Sequence, residues 1–214
     1  MKPTEVGEPS FARRIDPKRT AVLVVDLQNN EVSEKIQIKY PDYVDRIRRV
    51  VVPNVQRLLD AARSNGAEVI YTTIESLTLD GRDRSLLHKV AKLHVPKGSW
   101  GGKVLTEIAP EDDEIVLPKT GSGVFNTTIL EYVLRNMGIE VVIVAGVLTD
   151  QCIDMALRDG SDRGFFMICS SDACTSHTEA RHENALRGQY RSIRISTTAD
   201  LVLELEGKAT ASTC

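Results

Sequence analysis

The sequence predicts a three-layer α-β-α domain built on a six-stranded, mostly parallel sheet, and three observations lead there. Short β-branched runs alternate along the chain with longer segments of helical periodicity. Several runs are apolar throughout, as in strands covered on both faces, and do not alternate apolar with polar residues. The 214 residues, 42% hydrophobic and 27% charged, suit a single core of ordinary composition. That domain is expected over residues 18–207, with an N-terminal arm at 1–17 and a C-terminal tail at 208–214.

Taken in order, the first strand is expected at 20–25. A helix over 43–64 follows, because Val44, Ile47, Val50, Val51, Val55, Leu58, Leu59 and Ala62 recur at helical spacing and Asn65-Gly66 supplies a stop. Pro53 inside that pattern predicts a kink or a restart. Strands at 68–73 and 114–117 come next, then a helix over 127–136 with Ile129, Leu130, Val133 and Leu134 on one face. The rest reads as strand 141–145, helix 150–158, strand 165–169, helix 179–188, strand 191–195 and helix 198–205. Such strict alternation is the order of a doubly wound sheet. Residues 74–102 break the rhythm with a connection far longer than usual, and such excursions in compact domains are functional or disordered. This one carries Glu75, Asp80, Arg82, Asp83, Arg84, His88, His94, Lys97 and the only tryptophan, Trp100, and a short helix is expected over 84–93.

The charge balance narrows the function classes. With 27 basic and 30 acidic residues interspersed, the net charge is −3, which leaves no footprint for a nucleic-acid partner. The longest apolar runs, 21–25 and 141–148, fall far short of the roughly 20 residues that cross a bilayer, so no membrane partner is expected. Residues 1–17 lack the apolar stretch of a secretory signal, and a cytoplasmic location is expected. Four cysteines are too few and too irregular to staple this chain, so Cys152, Cys169, Cys174 and Cys214 are read as thiols.

In parallel sheets ligands bind outside the carboxyl ends of the strands, so the residues following each strand carry the chemistry. Asp26 follows the first strand. A poorly solvated carboxylate there suits proton transfer, although an Asp capping a turn fits equally well. Lys119 follows the third. Its Gly-Ser-Gly neighbour has the wrong order for a phosphate loop, and a solvated strand-end charge is the ordinary reading, but a neighbouring strand would bring its ammonium to Asp26. After the fourth strand, Thr149 or Asp150 is expected to cap a helix with Cys152 in its first turn, where free amides and the helix dipole favour a thiolate and can hold an oxyanion. Alone, Cys152 would read as a small buried hydrophobe.

The three segments VVDLQN, LPKTGSGVFNTT and AGVLTDQC, in this order, resemble the isochorismatase-like cysteine hydrolase family over roughly residues 19–200. The resemblance implies a six-stranded parallel sheet, assembly as a dimer or tetramer, and a catalytic triad at Asp26, Lys119 and Cys152. It also implies a cis peptide between Val147 and Leu148, with the Leu148 and Cys152 amides holding the oxyanion. By these roles Asp26 takes the thiol proton, Cys152 attacks an amide or ureido carbonyl, Lys119 orients Asp26, and a thioester is then hydrolysed. The Asp-x-His metal motif of nicotinamidase-type members does not occur in residues 28–91, so neither metal nor other cofactor is expected. The vinyl-ether chemistry of relatives lacking the nucleophile is disfavoured by Cys152.

Cys169, Cys174, His177 and His182 have spacings that allow zinc, but they fall on a strand, a loop and a helix that do not converge, and a structural role is the stronger reading. For substrate contacts the candidates are Glu75, accepting from an NH2 group, and Arg82, binding a carbonyl or carboxylate. Gln28, Phe125, Asn126, His177 and Trp100 complete the expected wall, and at least two of Asp80, Arg82, Asp83 and Arg84 are expected to pair within the loop. The segment IESLTLDGRDRS is similar to the branch of the family acting on ureido-type substrates such as biuret and triuret. A catalytically silent binding protein on the same fold is the competing reading.

Overall fold

β1 (Thr20–Val25) is buried along its whole length because it lies at the centre of the sheet with a neighbour on each side. The computed structural model describes residues 14–189 and 193–208, so most of the expected arm, the tail from residue 209 and Cys214 lie outside the described residues. The other strands are β2 (Glu68–Ile74), β3 (Ile115–Lys119), β4 (Val141–Val147), β5 (Phe166–Thr175) and β6 (Arg194–Ser196). All pair in parallel in the order β3-β2-β1-β4-β5-β6, so the expectation of a mostly parallel sheet becomes a wholly parallel one.

Side-chain alternation splits the strands between two cores, as a period of two requires. Val22, Val24, Ile143 and Ala145 face a layer containing Val55, Leu59, Leu201 and Leu205. Ala21, Leu23, Val142 and Val144 face the opposite layer with Leu130, Leu134, Ala156 and Leu157. The helices are α1 (Glu34–Lys39), α2 (Pro41–Arg46), α3 (Val52–Asn65), α4 (Leu86–Val90), α5 (Val124–Thr127), α6 (Leu130–Asn136), α7 (Asp154–Asp162), α8 (Glu179–Arg187) and α9 (Thr198–Leu205).

Local chemistry explains where these elements depart from expectation. The helix continues through Pro53, and a π turn at Ile47–Val51 just before it accommodates the ring and the missing N–H. The helix expected at 127–136 starts at Leu130, because Thr127 and Thr128 turn their hydroxyls back onto the Gly123 and Val124 carbonyls and close α5 first. Val50 and Ile129, expected on the apolar faces of these two helices, are exposed. β5 runs to Thr175, well past the expected 169, after a register break between the pairs Val144–Cys169 and Gly146–Cys174. The polar Ser170-Ser171-Asp172 stretch that reads as a loop is paired there. Asp172 Oδ1 accepts from the Thr198 N–H at 2.7 Å and Ser170 bonds Thr198 at 3.0 Å. The last strand, expected at 191–195, is β6.

Gly146 of β4 sits tight against Val25 of β1. It has φ +124°, and a Cβ there would stand 2.1 Å from the Val25 carbonyl oxygen, a backbone atom that cannot yield. Gly146→Ala is expected to cost about 1–3 kcal/mol or more by forcing β1 and β4 apart. Urea unfolding measures it, and a variant with the parent midpoint contradicts this account.

Candidate active site

The strand order reverses between β1 and β4, and the crevice outside their carboxyl ends is the switch point of the sheet. Asp26, the residue after β1, has φ 57° and donates its N–H to the Thr72 carbonyl at 3.0 Å, which turns its side chain inward. Its Oδ1 accepts from the Thr72 hydroxyl at 3.0 Å. Lys119 closes β3, which does not neighbour β1 as the sequence reading required, since β2 lies between. The long lysine side chain spans that strand. Its Nζ stands 2.8 Å from Asp26 Oδ2, with both side chains almost wholly buried. The contact is an ion pair whose alignment falls short of a hydrogen bond, so Oδ2 keeps a lone pair for another donor.

The same ammonium donates to the Gly121 carbonyl at 3.0 Å and lies 3.4 Å from Cys152 Sγ. Burial alone would push Lys119 down, but the Asp26 carboxylate and the Cys152 sulfur outweigh it and hold the group above the usual lysine range. For Cys152, burial and then the Asp26 carboxylate push the thiol up to about 12, with Lys119 opposing. Burial and the neighbouring carboxylate thus favour the thiol, against the preference for thiolate that a helix start gives.

The turn bearing Cys152 also differs from expectation. The cap is Leu148, with no side-chain bond to the wide turn Thr149–Ile153. The two residues expected to cap instead fasten this turn to the segment leading into α8 and to α8 itself. Thr149 Oγ1 pairs with His182 Nδ1 at 2.8 Å, and Asp150 binds Ser176 Oγ at 2.6 Å and Arg181 Nε at 2.6 Å. The Val147–Leu148 peptide is cis.

Most expected substrate contacts have their polar groups engaged within the protein. Gln28 donates to the Ile74 and Gly101 carbonyls and accepts from the Ile74 N–H at 2.6 Å, so it ties the long connection to β2. Glu75 Oε1 accepts from the Gly98 N–H at 2.7 Å and Oε2 faces Gly102, which folds the same connection back on itself. Arg82 is exposed and pairs with Asp80 at 3.0 Å, while Asp83 binds the Leu77 N–H and Arg84 the Leu93 carbonyl. Phe125 is buried against Phe165, and Asn126 bridges Asp159 and Arg163, so both serve the packing of α5 on α7. Trp100 is exposed and lines a cavity of about 480 Å³ with Asn29 and Val32 that includes none of Asp26, Lys119 or Cys152. A larger cavity of about 760 Å³ lies at Arg57, Asp60, Arg63 and Glu111, also apart from these three. Of the expected wall, His177 stacks on Tyr40 at 4.0 Å and meets the edge of Tyr43 at 5.0 Å.

Two residues near the cluster, Glu31 and Tyr43, were not anticipated, and His88 of the long connection joins them. Glu31 bonds the Tyr43 hydroxyl at 2.8 Å, and Asp26 and Lys119 both act on its charge. His88 is buried with Nε2 3.4 Å from Ser122 Oγ, and burial followed by the Lys119 ammonium pushes it below the usual histidine range. Inspecting only the residues immediately after each strand stops at Gln28 and misses Glu31, which the next turn carries back toward the crevice.

Cys169 Sγ lies 4.0 Å from Cys174 Sγ, but His182 is held by Thr149 and His177 by Tyr40, so the four candidate zinc ligands do not converge. Among the described residues no group of three or more His, Cys, Asp or Glu is arranged to hold a metal, and no helix is long and apolar enough to cross a membrane.

The sequence pattern of the isochorismatase domain matches residues 20–200. The chain is 30% identical over 176 residues to the ureidoacrylate amidohydrolase RutB of Rhizobium rhizogenes (strain K84 / ATCC BAA-868), covering 74% of this chain and 71% of that protein. It is equally identical to RutB of Agrobacterium fabrum (strain C58 / ATCC 33970), with 74% of this chain and 77% of that protein aligned. Among solved structures it is similar to a cysteine hydrolase from Pseudomonas syringae pv. phaseolicola 1448A, with TM-score 0.82, 27% identity and coverage of 92% and 97% of the two chains. N-carbamoylsarcosine amidase from Thermoplasma acidophilum shares the fold with TM-score 0.69 at 22% identity, over 84% and 96% of the chains.

Proposed function

Because the chain belongs to the isochorismatase domain family and is a hydrolase of carbon–nitrogen bonds other than peptide bonds, we propose that it is a cysteine-dependent amidohydrolase of small linear amide or ureido compounds. The observation carrying this reading is the buried ammonium of Lys119, 2.8 Å from the Asp26 carboxylate and 3.4 Å from the Cys152 sulfur.

In the proposed reaction Asp26 takes the thiol proton as sulfur attacks, since a thiol pushed to about 12 holds too little thiolate to react unaided. A carbon–sulfur bond forms, the carbonyl electron pair moves onto oxygen, and the Leu148 and Cys152 N–H groups stabilise it. The carbon–nitrogen bond then breaks and the nitrogen leaves as ammonia or an amine with the proton from Asp26. Water gives a proton back to Asp26 as its oxygen attacks the thioester, and sulfur departs to recover that proton. Lys119 stays charged and positions the carboxylate. No cofactor or metal enters this route.

For the substrate, the 30% identity to two ureidoacrylate amidohydrolases supports a ureido compound. The test is ammonia release from ureidoacrylate, biuret, triuret, N-carbamoyl amino acids, maleamate and nicotinamide. The highest kcat/KM is expected among the linear ureido compounds. Release from none of them overturns the reading in favour of a silent binding protein. The active form is proposed to be a dimer or tetramer, because the long connection exposes Leu79, Leu86 and Val90 at over 70% each. The unpaired thiols of Cys152, Cys169 and Cys174 suit the cytoplasm.

A further inference from the structure

Two carboxylates lie beyond β1, and the reaction as described uses only Asp26. We propose that Glu31, steadied by Tyr43, is a substrate-binding residue that accepts the N–H groups at the far end of the amide or ureido substrate while Cys152 attacks the near carbonyl. This rests on the amidohydrolase reading above and assigns the residue that recognises the substrate.

Position is the first support. The turn Asn29–Val32 is a 3₁₀ turn with three residues per turn, so Asn29 and Val32 share one face and line the Trp100 cavity. Glu31 projects from another face, where its oxygens meet Tyr43 and its charge is felt by Asp26 and Lys119. Tyr43 in turn feels Cys152 and Asp26, so the Glu31–Tyr43 pair is within electrostatic reach of the whole cluster. Glu31 keeps a partly exposed surface.

Its bonding is the second. The Tyr43 hydroxyl donates to Oε2 at 2.8 Å and Asn30 donates weakly to Oε1 at 3.3 Å. A carboxylate accepts about four hydrogen bonds, so roughly half the capacity of Glu31 is open. Burial, opposed by the Tyr43 hydroxyl and reinforced by Asp26, raises its carboxyl above the usual range, and a further N–H donor would offset that cost. A terminal NH2 beside a carbonyl supplies such donors in a plane. Glu75, the carboxylate singled out from the sequence for this task, is folded against Gly98 and Gly102 of the long connection. The flank at Tyr43 is packed by the edge of His177, itself stacked on Tyr40, which holds the Tyr43 ring in place.

The experiment compares ammonia release from biuret and from biuret carrying two methyl groups on one terminal nitrogen, where ammonia comes only from the unmethylated end. In the parent enzyme dimethylation is expected to raise KM about tenfold, the size of one lost charge-assisted hydrogen bond. Glu31→Gln is expected to raise the KM of biuret about tenfold with kcat within about threefold, and to bring the KM ratio of the two compounds close to one. Tyr43→Phe is expected to fall between. Equal ratios in the parent and in Glu31→Gln, both folded by circular dichroism, overturn the proposal while leaving the amidohydrolase reading intact. If the parent releases no ammonia from any amide, that reading fails, and calorimetry with biuret decides the site by itself. Binding that weakens about tenfold in Glu31→Gln retains the contact, and equal binding or none removes it.

Discussion

Cys152→Ser is expected to lose about three orders of magnitude or more of ammonia release, and Asp26→Asn a comparable amount, on whichever amide the parent turns over fastest. A serine hydroxyl is much harder to deprotonate than a thiol, and Asp26 is the carboxylate placed to accept the proton. Asparagine keeps the shape at position 26 and the hydrogen bond from Thr72, but it cannot receive that proton. The two losses are not expected to add, because nucleophile and base act in one step. Steady-state kinetics together with mass spectrometry of the acid-quenched parent enzyme checks this. A Cys152→Ser enzyme within tenfold of the parent, with no acyl adduct on Cys152 in the parent, points to direct attack by water.

Lys119→Met is expected to destabilise the fold by about 3–5 kcal/mol, the usual cost of leaving a buried charge uncompensated. The substitution leaves Asp26 Oδ2 without its cation. Removing both charges in Lys119→Met/Asp26→Asn is expected to recover most of that loss, since an amide needs no counter-ion. Because the folded-state pKa of Lys119 lies above the ordinary lysine value, its contribution is fully present below the lysine range. It is lost only as pH rises through that raised value in the alkaline region. Urea midpoints of the parent should therefore show no decline from this group between pH 6 and 9. A single variant as stable as the parent at pH 8 contradicts the pair as described.

Sheet and layers were legible because burial on both faces leaves an unbroken apolar run, as at residues 20–25 and 141–147, and because helices such as α3 and α7 show a buried stripe. Element ends were less legible. β5 outran its apolar run because Asp172 and Ser170 find partners on α9, and α6 began late because two threonines close a turn before it. In the site, Asp26, Lys119 and Cys152 were each visible as polar residues at strand ends, and the structure gathers them by the ion pair and the contact to sulfur. Among the wall residues, Gln28, Glu75, Asn126 and Arg82 have the chemistry of substrate contacts, and the structure shows each bonded to a protein partner that no local pattern announces.

By itself the sequence determined the wholly covered strands, their alternation with helices, the family, and which three residues stand at the strand ends, because these follow from local periodicity and motif order. Only the tertiary structure decided that β2 separates the lysine strand from β1, that burial and the Asp26 carboxylate push the Cys152 thiol up, and that Glu31 bonds Tyr43 while Glu75 folds against Gly98. The physical reason is that desolvation and hydrogen-bond competition depend on which groups from distant segments arrive first. No local pattern records that.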